Sequence, residues 1–109
     1  MAGYSELTIE QGATYTTEVI ITEPSGDPKD LSNYTASSQM RKSYYSNTAV
    51  SLNATVVNPT SGVISIGLTA AQSSNVTPGR YVYDVIITTN GVVTRVVEGI
   101  VTVIPSVTR

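Results

Sequence analysis

The sequence predicts an all-β fold, an antiparallel sandwich of about seven strands with one short helical turn. Three observations carry this. First, 15 Val and 16 Thr stand among 109 residues, and β-branched side chains lose rotamer freedom in helices while fitting a pleated sheet. Second, turn signals punctuate the chain at Gln11-Gly12, Pro24-Ser25-Gly26-Asp27-Pro28, Ser46-Asn47, Asn58-Pro59-Thr60-Ser61-Gly62, Pro78-Gly79 and Asn90-Gly91. Third, short runs rich in Val, Ile, Thr and Tyr lie between them, the spacing of a sandwich or barrel. No linker, internal repeat or low-complexity stretch divides the chain, so residues 1–109 are expected to form a single domain with short terminal arms.

Taken in order, the strands are expected at 4–10, 13–22, 34–43, 48–57, 62–67, 80–89 and 92–104. In the second, alternation puts Tyr15, Thr17, Val19 and Ile21 on the inner face and Ile20 on the outer one. A helical turn is expected at 69–75, with Thr69 as N-cap before Ala70-Ala71-Gln72 and Pro78-Gly79 closing it off. It would bridge the two sheets.

The last pair gives the sharpest prediction. Asn90-Gly91 favours positive φ at both central positions of a type I′ turn, so a two-residue loop places Thr89 opposite Val92 and Ile87 opposite Thr94. Tyr81, Tyr83, Val85 and Ile87 then face the core. Strict pairing would put Glu98 on the same face, and a buried unpaired carboxylate is costly. An extra residue at Val96-Val97 restores the pattern: Val97, Val101 and Val103 turn inward, and Glu98, Ile100 and Thr102 outward. A β-bulge is therefore predicted there.

Composition removes several function classes. The chain has no Cys, so it has neither disulfides nor thiolate metal sites. It has no His, the commonest general base and metal ligand. Phe and Trp are also absent, leaving seven Tyr as the aromatics. Charged residues make up 13%, against about 25% in an average soluble domain. Such a surface suits a protein packed against neighbours. The net charge is −2 and the six basic residues do not cluster, so no nucleic-acid surface is expected. No apolar run approaches the ~20 residues of a membrane span, and Met-Ala-Gly-Tyr-Ser-Glu does not read as a signal peptide. The expectation is synthesis in a cytoplasm, with no membrane partner.

Few residues could carry chemistry. Asp27 and Asp30 could begin a calcium loop, but Ca²⁺ wants about 6–8 oxygens, and a polar turn is the better account. Asp84 and Glu98 lie on adjacent strands, facing outward, with Arg95 placed to pair with Asp84 across the hairpin. Catalysis there would also need a pocket. The triplets at Asn33, Asn53 and Asn75 match the glycosylation pattern, and chance accounts for them in so Thr-rich a chain. Tyr44 and Tyr45, following Arg41, form a candidate recognition spot. Ile20, Ile86 and Ile100 on outer faces, and Val107 in the tail beyond Pro105, point instead to an interface. No enzyme activity, cofactor or metal is expected.

Six runs occur together: Leu7–Tyr15, Asp30–Ala36, Gln39–Ser43, Leu68–Ala71, Gly79–Asp84 and Glu98–Val103. In this order they resemble small virion proteins of tailed bacteriophages, specifically the immunoglobulin-like (Ig-like) N-terminal domain of phage baseplate upper proteins. The resemblance covers nearly the whole chain, although no single run is specific. It implies an Ig-like sandwich serving as a structural subunit of the virion, bound in several copies to other virion proteins. A tail, neck or baseplate component or a capsid decoration protein would fit. Two departures matter. The family pattern favours charge where Ile86 and Ile100 stand, which strengthens the interface reading for both. The chain ends at Arg109 without a long downstream region, which points to a stand-alone adaptor, decoration or cement protein. A carbohydrate-binding or adhesion module built around Arg41, Tyr44 and Tyr45 is the competing expectation.

Overall fold

The computed structural model describes residues 3–43 and 45–107. Its elements are β1 (Gly3–Tyr4), β2 (Leu7–Glu10), β3 (Tyr15–Ile20), β4 (Thr35–Arg41), β5 (Val50–Ser51), β6 (Thr55–Asn58), β7 (Val63–Leu68), α1 (Ala70–Ser74), β8 (Gly79–Thr89) and β9 (Val92–Ile104). They form two sheets. The larger runs β1-β9-β8-β4-β5, with β2 also pairing β9, and the smaller runs β3-β7-β6.

The core lies between the sheets and follows the alternation. Tyr81, Tyr83, Val85 and Ile87 of β8 are buried, as are Ile64, Ile66 and Leu68 of β7 and Met40 of β4. With no Phe or Trp available, Tyr fills the aromatic volume, and each buried hydroxyl needs a partner. Tyr81 donates to the Thr77 carbonyl at 2.6 Å and Tyr83 to the Ser5 carbonyl at 2.8 Å. The first is a tyrosine corner at the start of a central strand, as Ig-like sandwiches use.

The predicted bulge is present. Val85 pairs with Val97 and Ile86 with Arg95, so Val96 is the extra residue. Glu98 and Ile100 consequently point outward, while Val97, Val101 and Val103 are buried. The hairpin turn has φ 48° at Asn90 and 80° at Gly91, the signs a type I′ turn requires. Thr69 caps α1: its side chain accepts from Gln72 N, and the Gln72 side chain returns to the Thr69 N–H.

Three expectations need correction. The sheets are not wholly antiparallel, because β1 and β2 run parallel to β9. They keep one register, Gly3 with Val97 and Leu7 with Val101, so the expected strand 4–10 is one strand interrupted at Ser5-Glu6. The expected strand 48–57 is two short strands in different sheets: β5 pairs β4, and β6 pairs β7. The chain changes sheets at Leu52-Asn53. Leu52 is fully buried, and Asn53 takes φ 52° while its amide donates to Gly67 O at 3.1 Å and Gln72 Oε1 at 2.8 Å. The count of seven strands therefore becomes nine segments. Alternation cannot detect such a switch, because both halves present apolar residues to the same core.

Candidate functional site

The outer face of the large sheet is built from rows set by register. One row holds Gln39, Asp84 and Glu98, the next Arg41, Val82 and Ile100, and another Ser37, Ile86 and Arg95. Between these side chains lies a shallow, open depression of about 330 Å³, lined by Gln39, Arg41, Val82, Asp84, Ile86, Arg95 and Glu98, with Tyr83 at its floor. Arg95 Nε sits 3.2 Å from Asp84 Oδ2, the cross-strand pair expected from the hairpin. Both partners are partly exposed, so the pair contributes about 0–1 kcal/mol. Asp84 and Glu98 sit directly opposite on this open face, and nothing encloses them as a general acid and base would require.

The interface candidates divide between surfaces. Ile86 and Ile100 are half-buried on the large sheet's outer face. Ile20 is 64% exposed and belongs to the outer face of the small sheet, opposite Val63. The three outward isoleucines therefore lie on two different faces. Val107 is 95% exposed in the tail. Its neighbour Ser106 is anchored by donating N–H to Gln11 Oε1 at 3.3 Å.

Tyr44 lies outside the described residues, while Tyr45 is 94% exposed. Arg41 is half-buried and engaged within the chain, donating to Ser46 O at 2.6 Å and Gln39 Oε1 at 3.2 Å. It braces the loop that carries Tyr45. Ser46 adds further ties, donating N–H to Ser43 O at 3.1 Å and exchanging bonds with Thr48.

Asp30 behaves as a turn residue. Its carboxylate accepts from Ser32, which holds it below the usual range. Among the described residues no three acidic side chains gather as a metal site would need.

One surface was missed from sequence. The stretch Val92–Arg95 of β9 pairs with β8, while the pairing of the described residues with β1 starts at Val97 and with β2 at Val101. Val92 and Val93 are 62% and 60% exposed. A groove of about 330 Å³ runs between this edge and Ile20–Thr22. Alternation places Val92 and Thr94 on the core side, yet both are exposed. Strands of 11 and 13 residues outrun a small sheet whose longest strands have 6, so the hairpin tip projects past the core. At ~3.3 Å per residue that is roughly 40 Å against 20 Å. Relative strand lengths were the available signal.

No protein-family model matches the chain, and no curated protein does. Among solved structures it is similar to the crystal structure of Listeria monocytogenes InlP, with 20% identity and a TM-score of 0.50. That match covers 94% of this chain but 28% of the InlP chain. At this identity the likeness speaks to fold alone, and with the architecture above it establishes an all-β sandwich.

Proposed function

We propose that the chain is a non-enzymatic structural subunit of a tailed-phage virion, acting through protein–protein assembly. Its place would be the tail, neck or baseplate, or the capsid surface as a decoration protein. The supporting observation is apolar surface on a chain with little charge. Ile20, Val92 and Val93 are each at least 60% exposed, while only 13% of residues are charged. Free monomers rely on charge for solubility, and exposed apolar patches mark contacts. The six sequence runs supply the kind of particle. The test is mass-resolved chromatography of the purified chain with and without tailed-phage particles. Co-migration is expected, and it should be lost in Ile86→Asp or Ile100→Asp variants that remain folded. A chain that ignores particles, and whose solution state neither substitution alters, refutes the assembly reading.

A second reading rests on Tyr45, whose ring stands almost wholly in solvent on a loop braced by Arg41. Preorganised aromatic rings suit carbohydrate or adhesive contacts. Shifts of the Tyr45 ring resonances on adding simple sugars, with no particle binding, would favour it.

A further inference from the structure

We infer that Asn90 is a site of spontaneous covalent modification, where the Asn90-Gly91 turn rearranges through a cyclic imide to aspartate and isoaspartate when the tip of the β8–β9 hairpin opens.

The reaction asks two things of an asparagine: a carboxamide free to move, and a following backbone nitrogen able to reach it. Three asparagines are held. Asn53 donates its amide to Gly67 O and Gln72 Oε1, and Asn75 donates to Ala71 O. The Asn58 side-chain oxygen accepts from Ser61 N–H, and Pro59 after it has no N–H to give up. Asn33 and Asn47 are exposed, but Tyr34 and Thr48 follow them, and a side chain there crowds the attacking nitrogen. Asn90 alone is followed by glycine. Both turn residues are exposed, and among the described residues the Asn90 carboxamide has no hydrogen-bond partner. The Gly91 N–H lies in the loop, outside the ladder that joins Thr89 to Val92.

The chemistry closes with water as the sole co-reactant. The Gly91 nitrogen attacks Asn90 Cγ and gives up its proton. A C–N bond forms, and the carboxamide nitrogen takes up a proton and leaves as ammonia. Water then opens the imide ring. Opening at the side-chain carbonyl gives aspartate. Opening at the main-chain carbonyl gives isoaspartate, with the chain running through Cβ.

The native turn resists the first step. Asn90 has φ 48° and Gly91 φ 80°, and a type I′ turn gives its first central residue a ψ of about +30°. At that ψ the Gly91 nitrogen stands nearly anti to Asn90 Cβ, turned away from Cγ. The turn must therefore open before it reacts, and the opening is local. Thr88 is paired on both sides, with Thr35 of β4 and Val93 of β9, so only Thr89 and Val92 need part. Val92 is 62% exposed, so few buried contacts are lost. Isoaspartate lengthens the backbone by its Cβ and adds a negative charge. A loop so lengthened cannot rebuild the type I′ turn, and the tip stays open.

The test incubates the full native chain in mildly alkaline buffer, beside the same chain unfolded in urea. Peptide mass mapping locates amide-to-acid conversion, and an isoaspartate assay identifies the product. Conversion should concentrate at Asn90 and run roughly ten- to thirtyfold slower in the native chain, since opening breaks the hydrogen bonds of one residue pair. Gly99→Ala separates local from global opening, because Gly99 pairs with Tyr83, well down the ladder from the turn. If the whole chain had to unfold, its lost stability would speed conversion roughly thirtyfold or more. With local opening the native rate stays within about threefold. Tyr81→Phe gives the same comparison, roughly fivefold against no change, should Gly99→Ala not fold. Amide exchange in the isoaspartate product should rise at Thr89 and Val92 and not at Val85 or Val101. A native chain that does not convert while the unfolded chain does overturns the inference. So do equal rates in the two, conversion chiefly at another asparagine, or acceleration of the variants in step with their lost stability.

Discussion

Gly99→Ala should detach the N-terminal strand from the large sheet. Gly99 is buried on β9 opposite Tyr83, and the β1–β2 link crosses directly above it. A Cβ at this position would overlap the Ser5 carbonyl oxygen, lying also 2.8 Å from Ser5 C and 3.1 Å from Tyr83 Cε1. The obstacle is backbone, so a rotamer change cannot relieve it. Ser5 is held by two hydrogen bonds, its N–H to Glu98 O at 3.0 Å and its carbonyl accepting from the Tyr83 hydroxyl at 2.8 Å. Moving it far enough to admit a methyl group breaks both. Two bonds at about 1 kcal/mol each, plus overpacking of about 1–3 kcal/mol, set the loss. The chain entropy that alanine saves in the unfolded state returns about 0.5–1 kcal/mol. A net loss of about 2–4 kcal/mol follows, a fall in melting temperature of roughly 10–20 °C for a domain this size. Thermal and urea unfolding followed by circular dichroism measure it, and amide exchange should show the loss concentrated at Leu7 and Ile9. If Gly99→Ala melts within a few degrees of the parent, the close approach of Ser5 is not what the strand depends on.

Two further outcomes follow from the buried tyrosines. Tyr81→Phe removes the bond to Thr77 O while keeping the ring, and should lower stability by about 1 kcal/mol; an unchanged urea midpoint would mean the tyrosine corner contributes nothing. Burial raises the phenol pKa of Tyr15, Tyr81 and Tyr83 above the ordinary 10.0, so above pH 10 the unfolded chain releases protons that the native chain retains. Stability should hold below pH 10 and fall as pH rises beyond it, with a shallower fall in Tyr83→Phe. A urea midpoint constant through pH 11 would contradict this.

What was legible in the sequence followed physical rules that act locally. The β8–β9 hairpin was readable because Asn90-Gly91 fixes the turn, the turn fixes the register, and the register made Glu98 a conflict that only an extra residue could resolve. The Thr69 cap was readable for the same reason, since a capping box is a contact between residues three apart. The sheet switch at Leu52-Asn53 was not readable, because it depends on Asn53 finding Gly67 O and Gln72 Oε1 far along the chain. The parallel course of β1 and β2 depends on a glycine about ninety residues away, Gly99, being able to accept Ser5. The interface candidates behaved likewise. Alternation found outward side chains at Ile20, Ile86 and Ile100, but only topology could assign them to two different faces. The exposure of Val92 and Val93 is set by how far β8 and β9 outrun the small sheet, a relation absent from the residues of β9 themselves.

The bulge at Val96 has two consequences, one for the faces of β9 and one for its course. Its first consequence is on the faces: one extra residue turns Glu98 away from the core and leaves Val97, Val101 and Val103 inside. Its second is along the strand. A bulge bends and twists its strand, and it sits one residue before Val97, the first β9 residue paired with the described part of β1. The place of Ile100 on the same outer face as Ile86 follows from that one extra residue, since without it every side chain of β9 beyond Val96 would change faces.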